Sequence, residues 1–351
     1  MYRNRFEPCS NIKNTTKIGY LKLFNKFLTT NEDIISHVII SSNEIKILNL
    51  NTGVSRILPN IEIKCAILYE QTKLICGCYT SSCLFRDNYV IDNSIKMLDL
   101  KTGNFLQEFR GHTDLVTCLR VITNNDKHAQ LVSGSLDKTI RLWNLETSVC
   151  LHTFKTYVTC LDEFVSDMSS YRLISGSWNK SILVWDLDKK DFKKIDTCHT
   201  RDVSCLKYLY CERFASGSYD NTIKIWSITS LQCEATLRGH SGGVNSLDLT
   251  PNRDQLVSCS DDKTIRVWSV SFHDATNGVK YECIRVLKGH HNSVRCIKLN
   301  LFTGHLFSVA ADQQNFGDHS VKVWDMDTGK CLRTIQTTYY IHTLELCSDI
   351  F

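Results

Sequence analysis

The stretch LVSGSLDKTIRLW, residues 131–143, has a near copy in LVSCSDDKTIRVW, residues 256–268. Each opens on a short apolar run, passes through a Ser-x-Ser pair and an aspartate, and closes in alternation on a tryptophan. An apolar run followed by period-two alternation reads as two strands, and the polar cluster between them reads as a turn. Two paired strands cannot bury both of their faces in water. The recurrence therefore raises the question of what stacks on them.

Aligned on the closing residue, the pattern returns at Trp143, Trp185, Trp226, Trp268 and Trp324, at intervals of 42, 41, 42 and 56. Two weaker copies lie upstream: NSIKMLDLKTG places Leu98 in the tryptophan slot, and NEIKILNLNTG places Leu48 there. The period is that of a four-stranded propeller blade. Each unit has one grammar: VTCLRV as strand a, AQLVSGS as strand b, DKTIRLWNL as strand c, and VCLHTF as strand d. The segments are short and rich in branched and aromatic residues, with Gly, Asp, Asn and Ser between them. No long stretch follows the helical period. The expectation is an all-β, seven-bladed β-propeller in which every blade is a four-stranded antiparallel sheet.

The chain resembles the WD40-repeat family. RGH at 110–112, RGH at 238–240 and KGH at 288–290 precede SLDKTIRLW, SDDKTIRVW and GDHSVKVW, and GSYDNTIKIW follows Cys198-His199. The resemblance spans roughly residues 35–351 and implies a structural hydrogen-bond network in each blade. A histidine before strand a, a serine on strand b, an aspartate in the b–c turn and the indole on strand c would share it. Its members here would be His112/Asp137/Trp143, His199/Asp220/Trp226, His240/Asp262/Trp268 and His290/Asp318/Trp324. The serine is Ser133 or Ser135 in one unit, and Ser258 or Ser260 in another. Three units depart from the pattern. Asn179 replaces the turn aspartate and KTYVTC, 155–160, lacks Gly-His; the units ending at Leu98 and Leu48 also lack it. Those units are expected to rest on apolar packing.

The ring has two candidate closing strands, IGYLKLF at 18–24 and YIHTLELC at 340–347. The second, which reads as another strand a, is favoured and would latch the chain ends together. Residues 1–34 would then be an N-terminal arm or peripheral strand, and 35–351 the propeller. Insertions at YTSSCLFRDNYVIDNS, SFHDATNGVKYE and AADQQNFGDHS individualise the loops.

The 17 cysteines are an odd number with irregular local spacing, which argues against a paired secreted framework and for a reducing compartment. Cys65, Cys118, Cys160, Cys205 and Cys296 share one position of strand a, and Cys150, Cys233, Cys283 and Cys331 share one of strand d. Both sets read as core. Cys76, Cys78 and Cys83 lack a fourth ligand at a usual spacing, so no metal is expected. No stretch has the length of a membrane span, and the N-terminus has no apolar signal core. A net charge of +4 without a basic run gives little drive toward nucleic acid.

No phosphate loop is present, and no cofactor is implied. His, Asp and Ser do recur together, but once per blade beside a tryptophan, whereas a catalytic site needs one singular cluster. The reading is a non-catalytic scaffold or adaptor, intracellular, in the cytoplasm or nucleus, binding proteins or short peptides within a larger complex. The d–a and b–c loops would form its face. Trp178, outside the structural tryptophan slot, and Tyr219 are aromatic anchors; Arg201, Arg295 and Lys64 are polar contacts, with His342 at the equivalent place of the C-terminal strand. A narrower resemblance is to the propellers of F-box substrate receptors, which implies the alternative of a substrate-recognition subunit of a ubiquitin ligase. Only Arg295, with Lys64, matches the arginines such receptors gather, and residues 1–34 are too short for an F-box. An enzyme of unknown reaction is the least favoured alternative.

Overall fold

The computed structural model describes residues 35–41, 45–49, 55–58, 62–70, 72–79, 92–123, 128–165, 171–195, 199–270, 281–300, 303–311, 319–336 and 341–348. The expectations for residues 1–34 and for most of the three insertions lie outside this set.

Six blades are built from four consecutive antiparallel strands each. Ahead of them come β1 (Ile35–Ser41), β2 (Ile45–Asn49) and β3 (Ser55–Ile57). Blade I is β4 (Ile63–Tyr69), β5 (Lys73–Cys78), β6 (Ile95–Asp99) and β7 (Phe105–Phe109). Blade II is β8 (Val116–Thr123), β9 (Ala129–Ser135), β10 (Thr139–Asn144) and β11 (Cys150–Lys155). Blade III is β12 (Cys160–Val165), β13 (Tyr171–Gly176), β14 (Ile182–Asp186) and β15 (Asp191–Ile195). Blade IV is β16 (Val203–Tyr208), β17 (Arg213–Ser218), β18 (Ile223–Ser227) and β19 (Cys233–Leu237). Blade V is β20 (Val244–Leu249), β21 (Gln255–Ser260), β22 (Ile265–Ser269) and β23 (Cys283–Leu287). Blade VI is β24 (Val294–Leu299), β25 (Leu306–Ala310), β26 (Ser320–Trp324) and β27 (Cys331–Gln336). A last strand, β28 (Ile341–Ser348), follows.

Among the described residues the count of seven repeating blades is thereby corrected to six, and no seventh repeat closes a ring. The unit ending at Leu48 supplies only β1–β3, and it forms an antiparallel sheet in the order β28-β1-β2-β3 with a strand from the other end of the sequence. β28 pairs antiparallel with β1, Ile39 opposite Leu344, across a bulge at Ile40/Ser41. The physical reason is local: no described strand between β1 and its own upstream sequence provides the inner partner, so the edge of β1 is covered by β28.

The first strand of each blade packs against the first strand of the next. There four of the five strand-a cysteines meet a glycine on strand b, Cys65 opposite Gly77, Cys118 opposite Gly134, Cys160 opposite Gly176 and Cys205 opposite Gly217, while Cys296 lies opposite Val309. A Cβ on Gly217 would fall 2.5 Å from Sγ of Cys205 and 2.7 Å from Cγ1 of Val244. Thiol and missing Cβ thus share one volume. Blade V inverts the pair, with Ser246 opposite Cys259. Burial raises the thiol of Cys118 to about 11 and that of Cys205 to about 12. The strand-d set is a correction: Cys150, Cys233 and Cys283 are half-buried and Cys331 is exposed, so these are not core residues.

A second inner layer was not anticipated. Two residues beyond the cysteine position the strands carry Arg120, Asp162, Lys207, Asp248, Lys298 and, on β28, Glu345. Arg120 Nε lies 3.2 Å from Asp162, Lys207 Nζ 2.7 Å from Asp248, and Lys298 Nζ 3.1 Å from Glu345. Each pair joins consecutive inner strands, and the sign alternates from one strand to the next. Asp248 also accepts the Leu299 N–H at 2.8 Å, and Asp162 the Tyr208 N–H at 2.5 Å. The acids therefore bond forward and backward at once, which offsets the cost of burying them.

Candidate partner-binding face

The b–c turns that carry this face are held from inside. In blade II the Trp143 indole N–H donates to Ser133 Oγ at 2.8 Å, Ser133 lies 2.7 Å from His112 Nε2, and His112 Nδ1 lies 2.7 Å from Asp137. Blade IV repeats it with Trp226, Ser216, His199 and Asp220 at 2.7, 2.7 and 2.8 Å. Blade V repeats it with Trp268, Ser258, His240 and Asp262 at 2.8, 2.8 and 2.7 Å. In blade VI, Trp324 and His290 meet on Ser308 at 2.7 and 2.6 Å; Asp318 lies outside the described residues. The serine ambiguity resolves by register: Ser133 and Ser258 face the indole, while Ser135 and Ser260 accept the Asp137 and Asp262 N–H groups in the turn. Because the indole N–H already donates to the serine, a run from indole to serine to imidazole to carboxylate satisfies every group in the chain. Burial lowers the His112 and His199 imidazoles, outweighing the neighbouring carboxylates. After the aspartate, Lys138, Asn221 and Lys263 take φ of 65, 68 and 68°, as does Lys180 at 69° in blade III. That left-handed residue turns the chain into strand c.

The residue just after strand b is tied to the d–a loop. Its N–H donates to the carbonyl three positions ahead of the cysteine site: Tyr79 to Glu62, Leu136 to Leu115, Tyr219 to Asp202, Asp261 to Gly243 and Ala311 to Ser293, at 2.9 to 3.1 Å. These bonds fix side chains at the mouth of the inner strands. Tyr219 packs flat on Gly243, where a Cβ would collide with its ring. Asp261 accepts from Asn245 Nδ2 at 2.8 Å and pairs with Arg295 at 3.1 Å. Arg295 is half-buried, and its Nε has no partner. Lys64 is half-buried as well; burial lowers its amine, and the nearby Arg295 charge adds to that. Burial raises the Tyr219 hydroxyl, with Asp261 reinforcing it.

The expected anchors separate into two places. Tyr219, Arg295 and Lys64 gather with Asn245 and Asp261. Trp178 lies apart in blade III and is 48 % exposed, while the other five tryptophans are buried. Arg201 is exposed, its carbonyl accepting from Ser218 Oγ. The side chain of His342 is not among those described. Three other strand-a positions are spent on packing: the hydroxyls of Thr159 and Ser204 and the Asn245 amide donate to Val203, Val244 and Val294 carbonyls of the following blade. Sequence reasoning missed Tyr157, 43 % exposed, although the shortened KTYVTC segment was the signal for it. Among the described residues no group of three or more His, Cys, Asp or Glu is placed to hold a metal. Cys76 and Cys78 are buried, and the Cys78 thiol donates to the Cys76 carbonyl; Cys83 is outside the described residues.

Repeated blades with this internal network define a class, and comparison places the chain in it. The WD domain, G-beta repeat model matches residues 103–144, 148–186, 191–227, 231–269 and 281–325, so the chain belongs to the WD40-repeat family. It is similar to a nuclear distribution protein PAC1 from Arthroderma otae, 37 % identical over 131 residues, covering 35 % of this chain and 26 % of that protein. It is also similar to cell division control protein 4 of Saccharomyces cerevisiae, 30 % identical over 288 residues, covering 70 % of this chain and 35 % of that one. The chain thus spans about a quarter to a third of the length of these relatives. Among solved structures, the computationally designed Ika8 protein aligns with a TM-score of 0.64 over 90 % of this chain and 88 % of its own, at 22 % identity, a likeness of fold alone.

Proposed function

We propose that this WD40 chain works as a protein-interaction scaffold whose partner, a protein or short peptide, seats on the b–c and d–a loop face at the mouth of the inner strands. The observation that carries the reading is the cluster of Tyr219, Asp261, Asn245, Arg295 and Lys64. Tyr219 and Asp261 are pinned by backbone bonds, so little freedom is lost on binding. Lys64 makes no ion pair among the described residues, and Arg295 keeps an unused N–H. Two half-desolvated cations beside an aromatic ring suit a carboxylate or phosphate on the partner. No described helix is long and apolar enough to cross a membrane. The thirteen described cysteines are all free, which supports an intracellular setting.

The test is quantitative affinity capture with Lys64→Ala/Arg295→Ala and Tyr219→Ala proteins whose thermal unfolding matches the parent. Loss of specific partners supports this face, and equal recovery removes it. A second reading, substrate recognition within a ubiquitin ligase, is favoured by the likeness to F-box receptor propellers and by the same two cations. Co-purification of a ligase adaptor with the intact protein tests it, and its absence from native complexes counts against it.

A further inference from the structure

Blade III breaks the rule that ties the b–c turn to the d–a loop. Eight or nine residues separate the last core residue of strand d from the cysteine site in blades II, IV, V and VI; blade I has six and blade III five, from Phe154 to Cys160. Blade I still makes the tie, Tyr79 to Glu62. In blade III the register pairs Cys160 with Gly176, which brings Trp178 level with Tyr157 and Val158. No corresponding bond joins the Trp178 N–H to the Tyr157 carbonyl among the described residues. At this notch in the loop pattern, where the Gly-His segment is missing, Tyr157 and Trp178 are both exposed. The turn beneath is firm without a histidine: Trp185 donates to Ser175 Oγ at 2.8 Å, and Asn179 accepts the Ser181 N–H at 3.0 Å.

The surroundings give the notch a sign. Lys138 Nζ sits 5.1 Å from the centre of the Tyr157 ring. Lys155 and Lys180 flank the two aromatics along the chain, and Arg201 stands on the next loop, all exposed. Asp114 and Asp202 are the acids on the adjoining loops, so cations are in excess. The notch lies two blades or more from Lys64 and Arg295, which belong to blades I and VI.

We propose that this notch is a second docking site, taking an extended acidic peptide segment that carries one large apolar side chain. The apolar residue packs between Trp178 and Tyr157, a peptide carbonyl accepts the free Trp178 N–H, and flanking carboxylates meet Lys138, Lys155 and Arg201. It rests on the scaffold reading above and adjoins that face on the blade IV side, where the Tyr219 N–H bonds to Asp202, but it uses neither Lys64 nor Arg295.

Because Trp178 is the single exposed tryptophan, emission reports on the site directly. In the intact protein, iodide is expected to quench a fraction of the emission that caesium quenches less, and Trp178→Phe removes that fraction. The probe is a fluorescein-labelled decapeptide with one leucine between glutamate runs, followed by polarisation, against alanine-centred and lysine-flanked controls. The leucine peptide is expected to bind at least about tenfold tighter than either control, and Trp178→Ala or Tyr157→Ala to weaken it about tenfold or more. A third variant inserts Gly-His-Ser before Tyr157 and restores Asn179→Asp; it keeps the fold and loses the peptide. Lys64→Ala/Arg295→Ala binds as the parent does. Equal binding of the three peptides, or indifference to Trp178→Ala and Tyr157→Ala, overturns the proposal. Loss through Lys64→Ala/Arg295→Ala alone also overturns it, while leaving the first face standing.

Discussion

Nζ of Lys207 lies 2.7 Å from the carboxylate of Asp248, one blade further on. The other oxygen of Asp248 accepts the Leu299 N–H from the blade after that. One side chain therefore fastens three consecutive inner strands. Burial alone would raise its carboxyl, but Lys207 and Lys298 outweigh burial and hold it below the usual range.

Asp248→Ala should cost about 2–4 kcal/mol, because it strands a half-buried ammonium and a buried N–H together. Its folded pKa is depressed, so its contribution is complete above the unfolded carboxylate value and fades as pH falls through the folded one. Urea unfolding at pH 7 and pH 3 should show the variant's deficit shrinking in acid. A constant deficit would mean that packing, not charge, is what is lost.

The network of blade IV responds to acid in the same sense. Thr222, His199 and Thr200 donate to Asp220, and although burial opposes them they bring its carboxyl to about 2. Against an unfolded value near ~4 this amounts to about 2 kcal/mol, present above that value and lost between about pH 4 and 2. His199 is depressed by burial, so its share is present above about 6.5 and declines as pH drops below that. Stability is expected to fall in two steps on acidification, and Asp220→Asn should shrink the lower one, to which Asp137, Asp248 and Asp262 also contribute. A variant with the parent's pH profile would refute the assignment.

Glu163 runs the other way. Burial first, then Asp162, raises its carboxyl to about 7 although the side chain is open to water, and Arg120 offsets only part of this. A raised folded value favours the folded state below the unfolded pKa and loses that advantage as pH rises through 7. Glu163→Gln should therefore stabilise the protein at pH 8 by no more than about 1 kcal/mol, after solvent screening, and have little effect at pH 5. Thermal unfolding at the two pH values decides it.

The inner cysteine layer predicts a compensating pair. Gly217→Cys alone should destabilise by about 1–3 kcal/mol, since its Cβ enters the space of Cys205 and Val244. Cys205→Ser combined with it reproduces the Ser246/Cys259 arrangement of blade V and should recover part of the loss. Denaturant midpoints of the two singles and the double give the coupling, and strict additivity would contradict shared volume.

Much of this was readable from the chain alone. The charge belt stands in plain sight as TCLR, TCLD, SCLK, NSLD, RCIK and HTLE, alternating in sign from one copy to the next. It went unread because strands alternate in facing, and only the packed blades show that these side chains meet. Tyr157 was hidden for the opposite reason. An exposed aromatic has no periodic signature, and its exposure follows from a loop too short to cover it.

The sequence by itself determined the blade, because a four-strand period and the His-Ser-Asp-Trp spacing are local properties of each repeat. It determined the strands, their turns and, in blades II, IV and V, the histidine, aspartate and tryptophan of the network. Tertiary structure decided what local grammar cannot reach: that β28 covers the edge of β1 without adding a seventh repeat, that Ser133 rather than Ser135 faces the indole, and which aromatics stay uncovered. Those outcomes depend on which strand edge is left open and which neighbour fills the space, and that is settled only when distant segments pack.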